Sequence, residues 1–380
     1  MKELSIYIHI PFCVKKCSYC DFLSFPADDK ARAFYVETLL KEIRLEAQQY
    51  GSYQVQTVFF GGGTPSLLTV EQMKSIMDCL RENFVLAPEP EISMEANPGT
   101  VTAEKLAGFY KAGINRLSIG LQSANDAEMK ELGRIHTYDM FLEAYKSAVE
   151  AGFFNINVDV MSALPGQSVE SYQGTLEKVL SLTPPPKHIS AYSLIVEEGT
   201  PFGARMEQGL LILPTEEEER EMYELTERML KKAGYHRYEI SNYAMEGFEC
   251  RHNKTYWVRQ NYLGLGLGAA SLLENVRMTN ESDMTQYAAR IEAGVKKAAK
   301  EKEVLTMQEQ MEETMFLGLR LMEGVSKEEF IKNFGCPMES VYGEVIEKHV
   351  KNGLLENGQR VKLTAKGIDV SNFVMADFLL

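Results

Sequence analysis

A repeated alternation of apolar strands and amphipathic helices over residues 4–235 constrains the fold of this chain more than any other feature. Several of the helical stretches end at a glycine, as at Gly113, Gly152 and Gly234, and glycine tolerates the left-handed conformation that commonly follows a helix. Six such units predict a parallel sheet, either an open barrel or a doubly wound sheet. The predicted strands are Ser5–Ile10, Val55–Phe60, Glu91–Glu95, Arg116–Gly120, Asn155–Val160 and His188–Leu194. The predicted helices are Arg32–Gln49, Val70–Asn83, Ala103–Ala112, Asp139–Ala151 and Ser168–Leu182.

Three cysteines, Cys13, Cys17 and Cys20, directly follow the first predicted strand. Iron–sulfur clusters are held by cysteine thiolates, and a fully protein-bound cubane takes four of them. No fourth cysteine follows at a comparable distance, so the spacing predicts a [4Fe–4S] cluster with one iron left open. A structural zinc site needs a second closely spaced ligand pair, whereas the other three cysteines are isolated. Six cysteines in 380 residues without a secretory leader also argue against a disulfide framework.

Polar and glycine residues lie at or just after the ends of several other predicted strands, at Gly61–Pro65, Glu95, Gln122 and Asp159. In a parallel α/β sheet, sites form at the carboxyl ends of the strands. Acids within apolar strand runs need hydrogen-bond partners or a ligand. Taken singly, these features also have purely structural interpretations. The glycines could form a tight turn, and Asp159 could cap a turn. A Walker loop is excluded because no Gly-Lys-Ser/Thr follows the glycines.

The charge and the hydropathy exclude two classes of protein. The formal net charge is −14, from 40 basic and 54 acidic residues, and no basic stripe of a duplex-binding protein is present. No apolar run approaches the length needed to cross a bilayer, so a cytoplasmic location is expected.

The pattern of residues 301–380 predicts three helices, a short hairpin and a last helix, which resembles a winged helix. This segment carries 9 basic and 14 acidic side chains. That charge favours a structural or protein-docking role over DNA binding.

The stretch Tyr-Ile-His-Ile-Pro-Phe-Cys-x3-Cys-x2-Cys, which begins at Tyr7, resembles the radical S-adenosylmethionine superfamily. Within it, the chain is similar to the branch of the oxygen-independent coproporphyrinogen III oxidases and the HemW haem chaperones, over nearly its whole length. The resemblance implies a partial (β/α)6 barrel over residues 1–235, a β-rich sheet extension over 236–299 and a C-terminal winged-helix-type domain over 300–380. The lysine-rich junction at residues 296–300 is the predicted boundary of the last part.

The resemblance also implies the cofactors. Cys13, Cys17 and Cys20 would bind three irons, and the fourth iron would take the amino and carboxylate groups of S-adenosylmethionine. One-electron transfer would then cleave the sulfonium to a 5′-deoxyadenosyl radical, so that the cofactor carries the difficult chemistry. The residues implied to line the S-adenosylmethionine site are Tyr7, Tyr19, Gly62, Gly63, Thr64, Glu95, Gln122, Arg134, Asp159 and Ser193. A surface charge is the alternative interpretation of Arg134.

Two sequence details distinguish the oxidases from the haem chaperones. The oxidases carry an extra cysteine two residues after the triad, where this chain has Phe22. The stretch from Cys250 to Trp257 resembles the His-Asn-x-x-Tyr-Trp motif of the haem chaperones, which makes His252 a candidate haem ligand. A buried tryptophan with a hydrogen-bonded histidine is the alternative interpretation of this motif. The chain departs from its relatives at Ala270, where they carry a histidine after the glycine-rich segment.

The leading hypothesis is a cytoplasmic haem chaperone that binds haem, retains the cluster and S-adenosylmethionine, and hands haem to an acceptor protein. The alternative is an oxygen-independent coproporphyrinogen III oxidase, which the intact S-adenosylmethionine residues keep open. A winged-helix regulator that senses iron–sulfur status is disfavoured by the acidic C-terminal charge. The expected partners are haem and a haem-acceptor protein. The chain could associate peripherally with membrane-bound acceptors, and nucleic acid is not expected as a partner. The acceptor, the electron donor and the oligomeric state are not specified by the sequence.

Overall fold

The computed structural model describes residues 1–296 and 301–380, so residues 297–300 of the predicted lysine-rich boundary lie outside the described residues. The strands are β1 (Glu3–Ile10), β2 (Gln54–Gly62), β3 (Val85–Ala96), β4 (Arg116–Gln122), β5 (Asn155–Ser162), β6 (His188–Ser193), β7 (His236–Glu239), β8 (Asn242–Ala244), β9 (Tyr262–Leu265), β10 (Ala270–Leu273), β11 (Val276–Thr279), β12 (Glu301–Val304), β13 (Val325–Ser326), β14 (Leu355–Asn357) and β15 (Arg360–Leu363). The helices are α1 (Asp29–Tyr50), α2 (Val70–Asn83), α3 (Ala103–Ala112), α4 (Asp126–Glu131), α5 (Tyr138–Glu150), α6 (Val169–Leu180), α7 (Pro201–Glu207), α8 (Glu216–Lys232), α9 (Arg251–Trp257), α10 (Met284–Glu292), α11 (Met307–Gly318), α12 (Lys327–Phe334), α13 (Glu339–Lys351), α14 (Ala365–Asp369) and α15 (Ser371–Ala376).

The main sheet has the topology of an open barrel. Over the described residues its strand order is β12-β11-β10-β9-β1-β2-β3-β4-β5-β6-β8-β7. Strands β1 to β6 are neighbours in chain order and pair in parallel, with helices between them. At one edge β9 pairs in parallel with β1 and leads into the antiparallel β10–β12, and at the other edge β8 and β7 pair antiparallel beyond β6. The predicted (β/α)6 class with a β-rich extension is therefore confirmed.

The two faces of the barrel strands differ in polarity. Alternate residues of β1, such as Leu4, Ile6 and Ile8, are buried in the core that includes Tyr35 and Leu39 of α1. The opposite face of the strands carries mostly polar side chains. Many of these are buried, namely Ser5, His9, Thr57, Glu91, Ser93, Arg116, Ser118, Asn157 and His188, while Tyr7, Glu95 and Asp159 are half-buried. Buried polar groups need hydrogen-bond partners or a ligand, so this inner face is the part of the barrel suited to binding.

Helix ends follow the local signals that the sequence carries. The first turn of α2 is closed by a capping box between Thr69 and Gln72, which satisfies otherwise unpaired backbone N–H groups. Gly113, Gly152 and Gly234 have φ values of 108°, 104° and 88°, as predicted for residues that follow helices.

Strand β3 begins at Val85 rather than at the predicted Glu91. Its register with β2 shifts in the segment that contains Pro88 and Pro90, which hid the early part of the strand from the sequence pattern.

The C-terminal residues form a helical module with its own core. Helices α11–α15 surround a small antiparallel sheet in the order β13-β15-β14, with Met315, Phe330, Tyr342 and Phe378 fully buried between them. This arrangement agrees with the winged-helix-like prediction. The module contacts the rest of the chain through Glu313 and through Arg320. Glu313 of α11 pairs with Arg259 and Arg277, and Arg320 lies 4.3 Å from the centre of the Trp257 ring.

Candidate functional site

An open cleft lies over the carboxyl ends of the barrel strands. Eleven of the predicted site residues line it: Cys13, Cys17, Tyr19, Cys20, Gly62, Gly63, Thr64, Glu95, Gln122, Arg134 and Asp159. Phe22 lines the same cleft and is 62% exposed. Tyr7 lies beneath the cleft, where its ring stacks on Phe59, and the hydroxyl of Ser193 is 3.2 Å from that of Ser162. Most of the residues that the sequence analysis selected thus lie around a single cleft. Their individual roles stay a prediction.

Backbone hydrogen bonds hold the loop that carries the three cysteines, both within the loop and to the segments at Leu132 and Phe202. The backbone N–H of Cys13 donates to the Phe25 carbonyl, and that of Ser18 donates to the Leu132 carbonyl, at 3.1 and 3.0 Å. The Ser18 carbonyl in turn accepts from the N–H of Phe202 in α7. These bonds fix the loop from both sides, so that three half-buried free thiols face one cleft.

Two polar side chains lie beside the thiols of the cysteine loop. Thr64 Oγ1 lies 3.5 Å from Cys13 Sγ, and an Arg134 guanidinium nitrogen lies 3.9 Å from Cys17 Sγ. Such donors stabilise thiolate ligands and tune a cluster. Within residues 1–296 and 301–380, no group of three potential ligands is arranged to hold one metal ion. The three thiols that line one cleft, with Thr64 and Arg134 beside two of them, are a donor set of the kind that the predicted [4Fe–4S] cluster requires.

Two carboxylates face the cleft beside the cysteine loop. Glu95 accepts a hydrogen bond from the Gly62 N–H at 3.2 Å, and burial together with the charge of Asp159 raises the pKa of Glu95 to about 8. Burial also raises the pKa of Asp159, although Asn157, Ser190 and Ser118 donate to it and oppose the shift. Raised pKa values mean that negative charge here is incompletely compensated. The cleft therefore suits a ligand with positive charge, such as an ammonium or a sulfonium group.

Gln122 and Arg134 complete the wall on the β4 side. Gln122 has a φ of 71°, which is uncommon for a residue with a side chain, and its Oε1 accepts from the Tyr192 hydroxyl at 3.1 Å. Arg134 is half-buried and donates to the Gly120 carbonyl at 2.6 Å, so it is not the surface charge of the alternative interpretation. Strained backbone at a strand end is common where side chains are held toward a ligand.

His9 contacts the cysteine loop from the inner face of β1, a position that the sequence analysis did not single out. Its Nε2 is 2.8 Å from the Leu23 carbonyl in the cysteine loop, and a carbonyl only accepts, so Nε2 carries the proton. Nδ1 therefore accepts, and the Tyr7 hydroxyl donates to it at 3.0 Å. Burial lowers the pKa of His9, which keeps the ring neutral. The available signal was the alternation of β1, which places Tyr7 and His9 on the same inner face.

Helix α9, which carries the predicted haem motif, closes the amino end of the barrel. Thr255 and His252 reach the hydroxyls of Ser5 and Thr57 at 2.9 and 2.7 Å, on the inner face of β1 and β2. The Glu91 carboxylate accepts from the backbone N–H groups of Arg251 and His252 at 3.1 and 3.0 Å, and so caps α9 from β3. Sequence reasoning missed this role of Glu91, because nothing local links β3 to a helix 160 residues later.

The environment of His252 agrees with the alternative interpretation of its motif. Its Nδ1 contacts Thr57, its Nε2 contacts the Tyr256 hydroxyl at 2.9 Å, and its ring stacks on Phe59. Burial and the nearby charge of Arg116 lower the pKa of His252 to about 3. Both ring nitrogens are engaged, so iron could bind only after one of these hydrogen bonds breaks. The role of His252 as haem ligand stays a prediction, and this arrangement counts against it.

Comparisons with known proteins agree with the geometry of the cleft. The Radical SAM superfamily profile matches residues 7–179, and the HemN C-terminal domain profile matches residues 305–370. The protein named "Heme chaperone HemW" of Lactococcus lactis is 38% identical over 380 residues, which cover 100% of this chain and 98% of the relative. Its namesake in Bacillus subtilis is also 38% identical, over 99% of both chains.

Solved structures give the same fold. Coproporphyrinogen III oxidase (HemN) of Escherichia coli superposes with a TM-score of 0.87, over 100% of this chain and 90% of its own, at 24% identity. At that identity the likeness concerns the fold alone. Within the described part of the chain, no helix combines the length and the apolar character that crossing a bilayer requires.

Proposed function

Because the chain belongs to the HemW family of the radical SAM superfamily, we propose that it is a haem chaperone. It binds haem, a [4Fe–4S] cluster and S-adenosylmethionine, and it transfers haem to an acceptor protein. The proposal places it in the cytoplasm, where it also has access to membrane-bound acceptors. Full-length relatives that bear the name of a haem chaperone support this proposal.

The observation that carries the choice of chaperone over oxidase is Phe22. It lines the cleft two residues after Cys20, where the oxidases carry a further cysteine, and phenylalanine cannot bind iron. The three remaining cysteines hold the cluster in the proposal, and the cluster supplies one-electron chemistry when bound. Thr64 and Arg134 stabilise the thiolates, and Glu95 and Asp159 attract the positive ligand.

The activity test is an anaerobic incubation of the reconstituted chain with coproporphyrinogen III, S-adenosylmethionine and a reductant. The proposal predicts no formation of protoporphyrinogen, because this chain lacks the extra cysteine of the oxidases. Conversion at the turnover of an enzyme would instead support the oxidase and overturn the chaperone as the main function.

The cluster ligands are tested by Cys17→Ala, which removes one of the three thiols in the cleft. We expect the variant to lose the cluster absorbance and most of its iron after reconstitution, since two thiolates cannot hold the cubane. Cys79→Ala is the matched control, because Cys79 is a buried core thiol of α2. An iron content in Cys17→Ala equal to that of Cys79→Ala would refute the ligand assignment.

A further inference from the structure

A second cleft, here the Trp257 cleft, separates the end of α9 from the C-terminal module. Its volume is about 280 Å³, and it is open to solvent on one side. Trp257, Arg259, Phe334 and Arg360 line it, together with the exposed Asn333 of α12. It lies at the other end of α9 from the helix cap formed by Glu91, and none of its lining residues is shared with the cysteine cleft.

The polar part of the lining includes two arginines, beside amides and hydroxyls that both donate and accept. Arg360 donates to the carbonyls of Glu323 and Gly324 at 2.9 and 2.7 Å, which fixes its guanidinium at the rim, and its nearest carboxylate oxygen, of Glu323, is 3.5 Å away and exposed. Arg259 adds a second guanidinium, of which Nε donates to Glu313 at 2.8 Å and Nη2 donates to Asn275 Oδ1 at 3.3 Å, so its charge is already partly neutralised. Glu329 is the carboxylate of the lining. Fixed guanidinium groups are the side chains best suited to carboxylate ligands.

Trp257 supplies an aromatic surface with an unused donor. Arg320 covers its ring at 4.3 Å, and its indole Nε1 is buried without an acceptor among the described residues. A buried N–H without an acceptor costs stability, so an acceptor from a ligand would be bound with a gain. Phe334 of α12 and the 46% exposed Val258 extend the apolar surface beside Trp257.

We propose that the Trp257 cleft binds the propionate edge of haem, an inference that rests on the proposed function. Haem is a planar aromatic ring with two carboxylates on one edge. Its carboxylates meet Arg360 and Arg259, and its ring lies against Trp257 and Phe334. The cleft is too small to enclose the whole macrocycle. The opposite edge of the ring therefore stays exposed, which suits a carrier that passes its cargo to another protein.

Haem in the Trp257 cleft has no strong protein ligand for its iron within the described lining. The lining side chains, as far as the structure describes them, include no histidine, cysteine, methionine or tyrosine. These are the side chains that usually hold haem iron. Haem bound in the Trp257 cleft is therefore high-spin in the ferric state, whereas ligation by a histidine nitrogen together with a second strong ligand would give a low-spin spectrum.

The test is haem titration of the full chain with changes of charge at the rim. Asn333→Glu is expected to raise the Kd for haem about tenfold, the effect of one like charge about 10 Å from a propionate at the surface. Asn333→Lys is expected to lower the Kd. Asn357→Glu is the matched control, because Asn357 is an exposed residue of β14 in the same module and does not line the cleft. Thermal unfolding checks that all three variants fold.

The inference is supported if the Kd for haem rises in Asn333→Glu, falls in Asn333→Lys and is unchanged in Asn357→Glu. It also requires a high-spin electron paramagnetic resonance signal from the bound ferric haem. Equal affinities for all three variants overturn it, and so does a low-spin signal that His252→Ala abolishes. Either contradicting result leaves the proposed function in place, since haem is still bound. Absence of saturable binding to the unaltered chain would instead overturn the proposed function itself.

Discussion

Glu95 shows how one residue links the charge of the cleft to the stability of the chain. Its pKa is about 8 in the folded chain, against an ordinary value of 4.5. The folded chain therefore binds this proton more tightly than the unfolded chain. The contribution of Glu95 to stability is complete below about pH 4.5 and is lost as the pH rises through about 8.

We predict that Glu95→Gln removes this pH dependence, because glutamine does not titrate. Without S-adenosylmethionine, the free energy of unfolding of the unaltered chain should fall relative to that of Glu95→Gln between about pH 5 and about pH 8.5. Urea denaturation at the two pH values measures the difference. A difference that stays constant with pH would show that the Glu95 carboxyl is not held in its protonated form.

The backbone of Gly62 lies against the His9 ring. Its φ is 105°, and a Cβ added there would lie 2.3 Å from a ring carbon of His9. The ring would have to move, and its hydrogen bond to the Leu23 carbonyl in the cysteine loop would break.

We predict that Gly62→Ala costs about 2–4 kcal/mol of unfolding free energy and lowers the iron content after reconstitution. Gly166→Ala is the control. Gly166 also has a positive φ of 73°, but no described atom lies within 4 Å of its added Cβ, so only the backbone cost of about 1–2 kcal/mol applies. Equal losses of stability and of iron in both variants would contradict the role of the close approach to His9.

At the scale of elements, α9 depends on a carboxylate from β3. The helix spans only Arg251–Trp257 and has no side-chain cap of its own at Cys250. Isolated helices of this length are unstable in water, so the bonds from Glu91 to its first N–H groups carry much of its position.

We expect Glu91→Gln to lower the unfolding free energy by about 2 kcal/mol, since the amide accepts through one oxygen only. Glu89→Gln, an exposed neighbour on the same strand, should change it by less than about 0.5 kcal/mol. Denaturation curves of the two variants supply the comparison. Indistinguishable curves would mean that α9 is held by its other contacts.

The predictable elements are those whose pattern is local. The helix Val70–Asn83 was predicted with the observed bounds, because its cap and its apolar periodicity lie within the element itself. The parallel pairing of β9 with β1 joins residues far apart in the chain, and no local pattern encodes it. Short α9 was not predicted for the same reason, whereas the early part of β3 was missed because Pro88 and Pro90 interrupt its strand pattern. The environment of Gln122 likewise depends on Tyr192 from another strand.

At the scale of the molecule, the chain combines two clefts that share none of their described lining residues. The cysteine cleft lies at the carboxyl end of the barrel, and the Trp257 cleft lies where α9 meets the C-terminal module. The cysteine spacing located the first cleft from the sequence. The second depends on how a separate module packs against the barrel, through contacts such as Arg320 on Trp257, and it became apparent only in the structure.

Haem titration of the anaerobically reconstituted full chain, followed by absorbance in the Soret region, tests the central claim most directly. The account predicts saturable binding with one haem per chain, retained when the cluster is intact. A linear, unsaturated increase in absorbance identical to that of free haem in buffer would contradict it.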